Sequence, residues 1–231
     1  LRMQAYVKER RVLDVFSYIG AWGVQALQAG ANSVTCVDSS ETFLDLALHN
    51  AELNGRGADI QTMTGDAFEV LKALREEGEH YDVVVLDPPA FIQRRRDLKK
   101  GIAAYRRINE LGLRLLKPGG LLVAGSCSMH LPRPELITAL QGAARRADCE
   151  LRVVEQGGQG LVADEADDHR VDAQPGLSGV DVLVLAVVDQ AQLAQAVEQA
   201  LALGELVRHG APEQALHGDA ERFHGLADIA L

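Results

Sequence analysis

The sequence predicts an α/β domain: a doubly wound, mostly parallel sheet of seven strands with helices on both faces. Three observations carry this expectation. From residue 11 to about 160, short apolar runs alternate with segments of helical period, the pattern of successive strand–helix units. The run YDVVVLDPP at 81–89 is apolar at consecutive positions, as a strand covered on both faces must be. Five successive runs also end in polar chemistry: Asp14 with Ser17 and Gly20, Asp38, Asp66, Asp87, and Cys127 with Ser128. Ligands of a doubly wound sheet bind beyond the carboxyl ends of its strands, where the winding reverses.

Each element has a local reason. RVLDVFSY (11–18) is an apolar run that breaks into a polar turn at Gly20, and AWGVQALQAG (21–30) has helical spacing and stops at Gly30. SVTCVDSS (33–40) is a second strand closing on Asp38. ETFLDLALHNAELNG (41–55) is an amphipathic helix halted by Asn54-Gly55. ADIQTMTGD (58–66) and AFEVLKALREEG (67–78) repeat the strand–helix unit. YDVVVLDPP is a fourth strand, ended by two prolines. GIAAYRRINELGLRLLKPGG (101–120) reads as a helix ended by Pro-Gly-Gly, LLVAGSCS (121–128) as a fifth strand, RPELITALQGAARRAD (133–148) as a helix, and CELRVVEQGG (149–158) as a sixth strand. Beyond Gly160 the texture changes to an acidic loop. A seventh strand is expected at 180–188 and an Ala/Gln-rich helix at 190–206. The expected division is a core of residues 1–160 and an atypical tail of residues 161–231.

Composition narrows the function classes. With 231 residues and 47% hydrophobic content, the chain can bury a sizeable core. No apolar run approaches the roughly 18 residues of a membrane-spanning helix, and no basic-apolar leader is present. The three cysteines, Cys36, Cys127 and Cys149, are sparse, odd in number and without a CxxC pair. They fit a reducing, cytoplasmic setting and argue against a structural metal site. The opening LRMQAYVKERR lacks an initiator Met and reads as the interior of a longer protein. The net charge of −10 lies wholly in residues 161–231, because residues 1–160 hold 20 Lys and Arg against 20 Asp and Glu. The acidic total therefore does not exclude a nucleic-acid partner for the first part.

The strand ends suggest a ligand. DVFSYIGAWG holds only Gly20 and Gly23, not the GxGxxG that a pyrophosphate needs. A cofactor without phosphates suits such a loop. Asp38 stands where an acid can accept two ribose hydroxyls, and Asp66 where it could accept from an adenine amino group. Together they point to S-adenosylmethionine. Either acid could instead be a helix N-cap. DPPAF, Asp87 to Phe91, fixes a rigid extended turn through Pro88 and Pro89, and Phe91 can stack on a flipped base. Cys127 is either a buried strand residue or a thiolate nucleophile placed between two hydroxyls. The basic cluster QRRRDLKK, with Arg94, Arg95 and Arg96, follows directly and suits phosphate contacts.

The segments VLDVFSYIGAWGVQAL, VDSSETFLDLALHNAELNG, DVVVLDPPAFIQRRRDLKKGIAAYRRINELGLRLL, GSCSMHL and VVEQGGQG resemble class I S-adenosylmethionine-dependent ribosomal RNA methyltransferases, and among them the bacterial large-subunit cytosine-C5 enzymes. The resemblance runs from about residue 4 to 160. It implies a Rossmann-like methyltransferase sheet and a role for each motif. Asp14, Phe16, Ser17 and Gly20 fall on the first cofactor motif, Asp38 on the ribose-binding acid and Asp66 on the adenine side. Asp87, Pro88 and Pro89 fall on the motif that holds the target cytosine, and Cys127 on the nucleophile. The resemblance further implies attack of the thiolate at C6, methylation at C5, and elimination after loss of the C5 proton, with Asp87 a candidate acceptor. It implies ribosomal RNA as partner; the composition adds the expectation of no metal and no membrane. Methylation of a purine nitrogen with Cys127 structural, and an inactive fragment, are the alternatives. The family's N-terminal PUA-like module and β-rich segment have no counterpart here, and its last-strand segment diverges after EQGGQG. The expectation is a catalytic domain with a foreign tail.

Overall fold

The computed structural model describes residues 5–158 and 181–187. In chain order the elements are β1 (Arg11–Val15), α1 (Ala21–Gln28), β2 (Ser33–Asp38), α2 (Glu41–Leu53), β3 (Ile60–Thr64), α3 (Ala67–Glu76), β4 (Tyr81–Leu86), α4 (Leu98–Leu113), β5 (Leu116–Ser126), α5 (Arg133–Ala147), β6 (Leu151–Gly158) and β7 (Asp181–Val187). The sheet order is β3-β2-β1-β4-β5-β7-β6. β1 pairs with both β2 and β4, so the winding reverses at β1/β4, and doubly wound sheets bind their ligands in the crevice between such carboxyl ends.

The pleat sorts the side chains of each strand to two cores. Val12 of β1, Val83 and Val85 of β4, and Leu121 and Val123 of β5 face one layer with Ala26 and Leu27 of α1 and Leu44, Ala47 and Ala51 of α2. Their neighbours Leu13, Val15, Val84, Leu86, Leu122 and Ala124 face the other, with Leu71 of α3, Tyr105 and Ile108 of α4, and Leu136 and Leu140 of α5. Continuous apolar runs are required because both faces are dry. Each fully buried aliphatic side chain contributes roughly 1.5–3 kcal/mol.

The structure differs from the sequence-based expectation in two places. The continuous parallel ladder holds five strands, β1 to β5, rather than the whole sheet: β7 enters antiparallel between β5 and β6. Alternating hydrophobicity reports strand and helix but not direction, so the sequence could not single β7 out. The fourth helix also ends at Leu113, not at Pro-Gly-Gly, and Leu116–Ser126 is one strand. Tyr81 pairs with Leu116 but Val83 with Leu121, so Lys117–Gly120 bulges out of the ladder. Pro118 has no N–H to donate there, and Gly119 takes a φ of 73°, open to glycine. The helix expected at 190–206 lies outside the described residues.

Candidate functional site

The turn after β1 is bent against its own preferences. Phe16, Tyr18 and Gly20 all have left-handed backbones, with φ of 63°, 51° and 79°. For Phe and Tyr that conformation costs about 1–3 kcal/mol each. It is held by three amides: Ser17 N–H donates to Val37 O at 3.1 Å, Tyr18 N–H to Asp38 Oδ2 at 3.0 Å, and Gly20 N–H to Ser17 O at 2.8 Å. Gly20 is required for space as well, since a Cβ there would stand 2.8 Å from Ala47 Cβ. Asp14 is fully buried beneath the turn, and its Oδ2 accepts from Gly23 N–H at 2.9 Å, tying α1 to β1. Burial pushes its carboxyl up to about 7; the Gly23 bond opposes this, while Asp87 and Asp38 raise it further. Asp14 Oδ1 and Ser17 Oγ are buried oxygens without a hydrogen-bond partner.

Asp38 closes β2 on the same rim. It is half-buried, with Oδ2 taking the Tyr18 amide and Oδ1 the Ser40 amide at 3.0 Å. The carboxylate is therefore oriented by backbone, and its remaining lone pairs are available to hydroxyl donors. Asp66 stands differently. It is exposed, and its Oδ1 accepts from Phe68 and Glu69 amides at 2.9 and 3.2 Å, capping α3. Beside it a cleft of about 440 Å³ opens between α3 and α4, lined by Asp66, Phe68, Glu69, Ala103, Ala104 and Arg107. The Arg107 guanidinium lies over the Phe68 ring, 5.8 Å from its centroid.

The DPPAF turn and the SCS segment meet at the ends of β4 and β5. Asp87 N–H reaches Val15 O at 3.4 Å, and Asp87 Oδ2 accepts from the Trp22 indole N–H at 3.0 Å. Pro88 is buried and Pro89 exposed. The Cys127 thiol is half-buried and aimed at this turn, with Sγ 3.5 Å from the Pro88 carbonyl oxygen. Burial raises its pKa, and the Asp87 carboxylate raises it further, so both favour the thiol over the thiolate. Gly125 lets the Asp87 side chain lie against β5, because a Cβ there would meet Asp87 Oδ1 at 2.8 Å. By contrast Cys36 is sealed in β2, its Sγ 4.0 Å from Asp14 Oδ2, and burial drives its thiol far up.

The structure thus brings Asp14, Ser17, Gly20, Asp38, Asp87, Pro88 and Cys127 to one rim. Other expected residues are placed otherwise. Phe91 is half-buried in an aromatic cluster, edge-on to Tyr105 at 4.9 Å and to Phe16 at 6.2 Å, with Phe68 also 6.2 Å away. Its ring is already engaged by these neighbours. Arg94, Arg95 and Arg96 are exposed on the segment that leads into α4. Among the described residues no three His, Cys, Asp or Glu side chains are grouped so as to hold a metal ion, and no helix is long and apolar enough to cross a membrane. Sequence reasoning passed over Tyr18, Trp22 and Tyr105. Trp22 carried a signal, being the only Trp in a chain with 4% aromatic residues. Tyr105 was hidden in the basic stretch YRRINE.

Known proteins resemble this chain in sequence and in fold. The family model described as conserved hypothetical protein 95 matches residues 2–131, more than half of the chain. A protein from Aeromonas salmonicida (strain A449) named ribosomal RNA large subunit methyltransferase I is 38% identical over 167 residues, 72% of this chain and 41% of the relative. Its namesake from Klebsiella pneumoniae (strain 342) is 37% identical over 172 residues, 74% of this chain and 42% of the relative. The chain spans about two fifths of the length of these curated relatives. Among solved structures, a protein described as a methyltransferase complexed with SAH aligns with a TM-score of 0.68 and 22% identity, over 80% of this chain and 47% of its own. That likeness shows a shared Rossmann-like α/β fold.

Proposed function

The chain belongs to the conserved hypothetical protein 95 family, and on that premise we propose that it is an S-adenosylmethionine-dependent methyltransferase acting on ribosomal RNA. One observation carries the reading: the Cys127 sulfur is aimed at the carbonyl of Pro88, the residue after Asp87, on the rim that also holds the Asp14–Gly20 turn and Asp38. The name of the curated relatives supplies the substrate class. The residues present fit the cofactor. Asp14 Oδ1 and Ser17 Oγ are unpartnered polar atoms under the first turn, Gly20 leaves that turn no side-chain bulk, and Asp38 is held by two amides as an acceptor for a diol. When bound, S-adenosylmethionine supplies an electrophilic methyl group. The proposed catalytic core is residues 1–160.

The finer proposal is methylation of a cytosine at C5. Once the Cys127 thiol has given its proton to a base, addition of the sulfur to C6 would form the S–C6 bond, break the C5–C6 π bond and leave its electron pair on C5, the position to be methylated. Loss of the C5 proton to a base then expels the sulfur and restores the ring. Asp87, fixed by Trp22 and close enough to act on the Cys127 thiol, is the candidate acceptor for that proton. Pro88 and Pro89 hold the turn rigid while a base is out of its stack. A second reading, transfer to a purine nitrogen with Cys127 structural, draws on the raised thiol and its contact with the Pro88 carbonyl. RNA carrying 5-fluorocytosine separates the two. The C5 reading expects a covalent protein–RNA complex that survives denaturing electrophoresis and is lost in Cys127→Ala. Full methyl transfer by Cys127→Ala would sink it.

A further inference from the structure

The two serines flanking Cys127 do not face the ligand rim. Both are buried, at 3% and 6% exposure, and both turn to one hydroxyl. Ser126 Oγ donates to Tyr105 Oη at 3.0 Å, and Tyr105 Oη shares a hydrogen bond with Ser128 Oγ at 2.9 Å. Ser128 N–H closes the ring on Ser126 Oγ at 3.2 Å. The Ser128 hydroxyl also accepts from Ile92 N–H at 3.2 Å, one residue beyond Phe91. Tyr105 itself is wholly buried on α4, its ring edge-on to Phe91. A single side chain therefore ties together the segments before and after the thiol, the DPPAF turn, and the core face of α4. A buried network of this kind fixes one geometry, since any member left without its partner costs about 1–3 kcal/mol.

We propose that Tyr105 is a positioning residue, which holds the Cys127 thiol against the Asp87–Pro88 turn by pinning both neighbouring serines to α4. The inference rests on the reading of Cys127 as nucleophile. Tyr105 touches no reacting atom; it acts through the backbone that carries the sulfur. Its removal frees the SCS segment, and a looser segment exposes the thiol. Since burial is the main cause that favours the thiol over the thiolate, exposure makes it easier to ionise. At the same time the sulfur loses its fixed approach to the turn. Simple reactivity and turnover therefore move in opposite directions, which a side chain that merely adds stability would not cause.

Tyr105→Phe keeps the ring on Phe91 and deletes the hydroxyl. The rate of iodoacetamide alkylation at Cys127, read by peptide mass spectrometry, is expected to rise about tenfold. Methyl transfer to unmodified large-subunit rRNA is expected to fall about 10- to 100-fold. Cooperative thermal unfolding reports that the variant is folded. An alkylation rate equal to wild type in a folded variant overturns the proposal, whatever turnover does. Should Tyr105→Phe not fold, Ser128→Ala, which removes the shared acceptor and leaves Tyr105 in place, is read by the same criterion. Cys127→Ala separates this failure from that of the underlying reading. Full turnover in Cys127→Ala refutes the nucleophile, whereas loss of turnover there with unchanged alkylation in Tyr105→Phe refutes only the positioning.

Discussion

Asp14 shows how far burial can change one side chain. Its carboxyl is sealed between β1 and α1 with one oxygen on the Gly23 amide and the other unpartnered. Burial, together with Asp87 and Asp38, lifts its pKa from 3.8 to about 7. A carboxyl whose folded-state pKa is raised binds its proton more tightly when folded. Its stabilising contribution is therefore complete below about pH 4 and is lost as the pH rises towards 7. The whole swing is worth at most about 4 kcal/mol. Asp14→Asn cannot ionise and keeps an acceptor for Gly23. Melting temperatures of wild type and variant, compared from pH 5 to 8, should shift steadily in favour of the variant as pH rises; a constant difference would contradict a raised Asp14. The same residue scale explains the two classes of cysteine. Cys36 lies inside β2 and faces a closed core, whereas Cys127 follows the last residue of β5 and faces a rim.

At the scale of elements, the ends of strands and the starts of helices compete for the same acids. Asp66 is the clearest case: one oxygen caps α3 through two amides, while the side chain stands beside the α3–α4 cleft. The two roles separate by substitution. Ser is as good a cap as Asp, whereas Ala forfeits about 1 kcal/mol. Asp66→Ser should therefore melt like wild type, and Asp66→Ala should melt lower. If Asp66 also accepts from adenine, as the sequence suggests, both variants should bind S-adenosylhomocysteine more weakly in calorimetry. Wild-type affinity in Asp66→Ser would leave the residue a cap and nothing more. Asp38 is released from this competition because Ser40 takes over the cap of α2, its Oγ accepting from Phe43 N–H.

At the scale of the molecule, charge is divided rather than spread. Residues 1–160 are neutral overall, yet Arg94, Arg95 and Arg96 stand exposed together ahead of α4, and Arg107 rims the cleft on that helix. The proposed RNA substrate would meet this cationic edge while its base enters the rim at β4 and β5. Replacing all three arginines by Ala should weaken RNA binding and flatten its salt dependence. For single-stranded contacts, the slope of log K against log salt should shrink by about 2. Filter binding across a salt series measures this, and an unchanged slope would remove these arginines from the interface.

What the sequence determined by itself was periodicity and punctuation. Alternating apolar runs fixed the strand–helix order from β1 to β6, and the residues that end β1, β2, β4 and β5 marked the rim, because backbone geometry makes those signals local. DPPAF and SCS were legible as motifs, but their encounter was not: Cys127 and Pro88 lie 39 positions apart, and only the β4–β5 pairing brings sulfur and carbonyl to 3.5 Å. Strand direction at β7, the bulge at Lys117–Gly120, the aromatic cluster that claims Phe91, and the service of Tyr105 and Trp22 were likewise decided by the tertiary structure. Each depends on which neighbour a side chain meets across the sheet or between layers. A linear pattern of hydrophobicity carries no record of that partner.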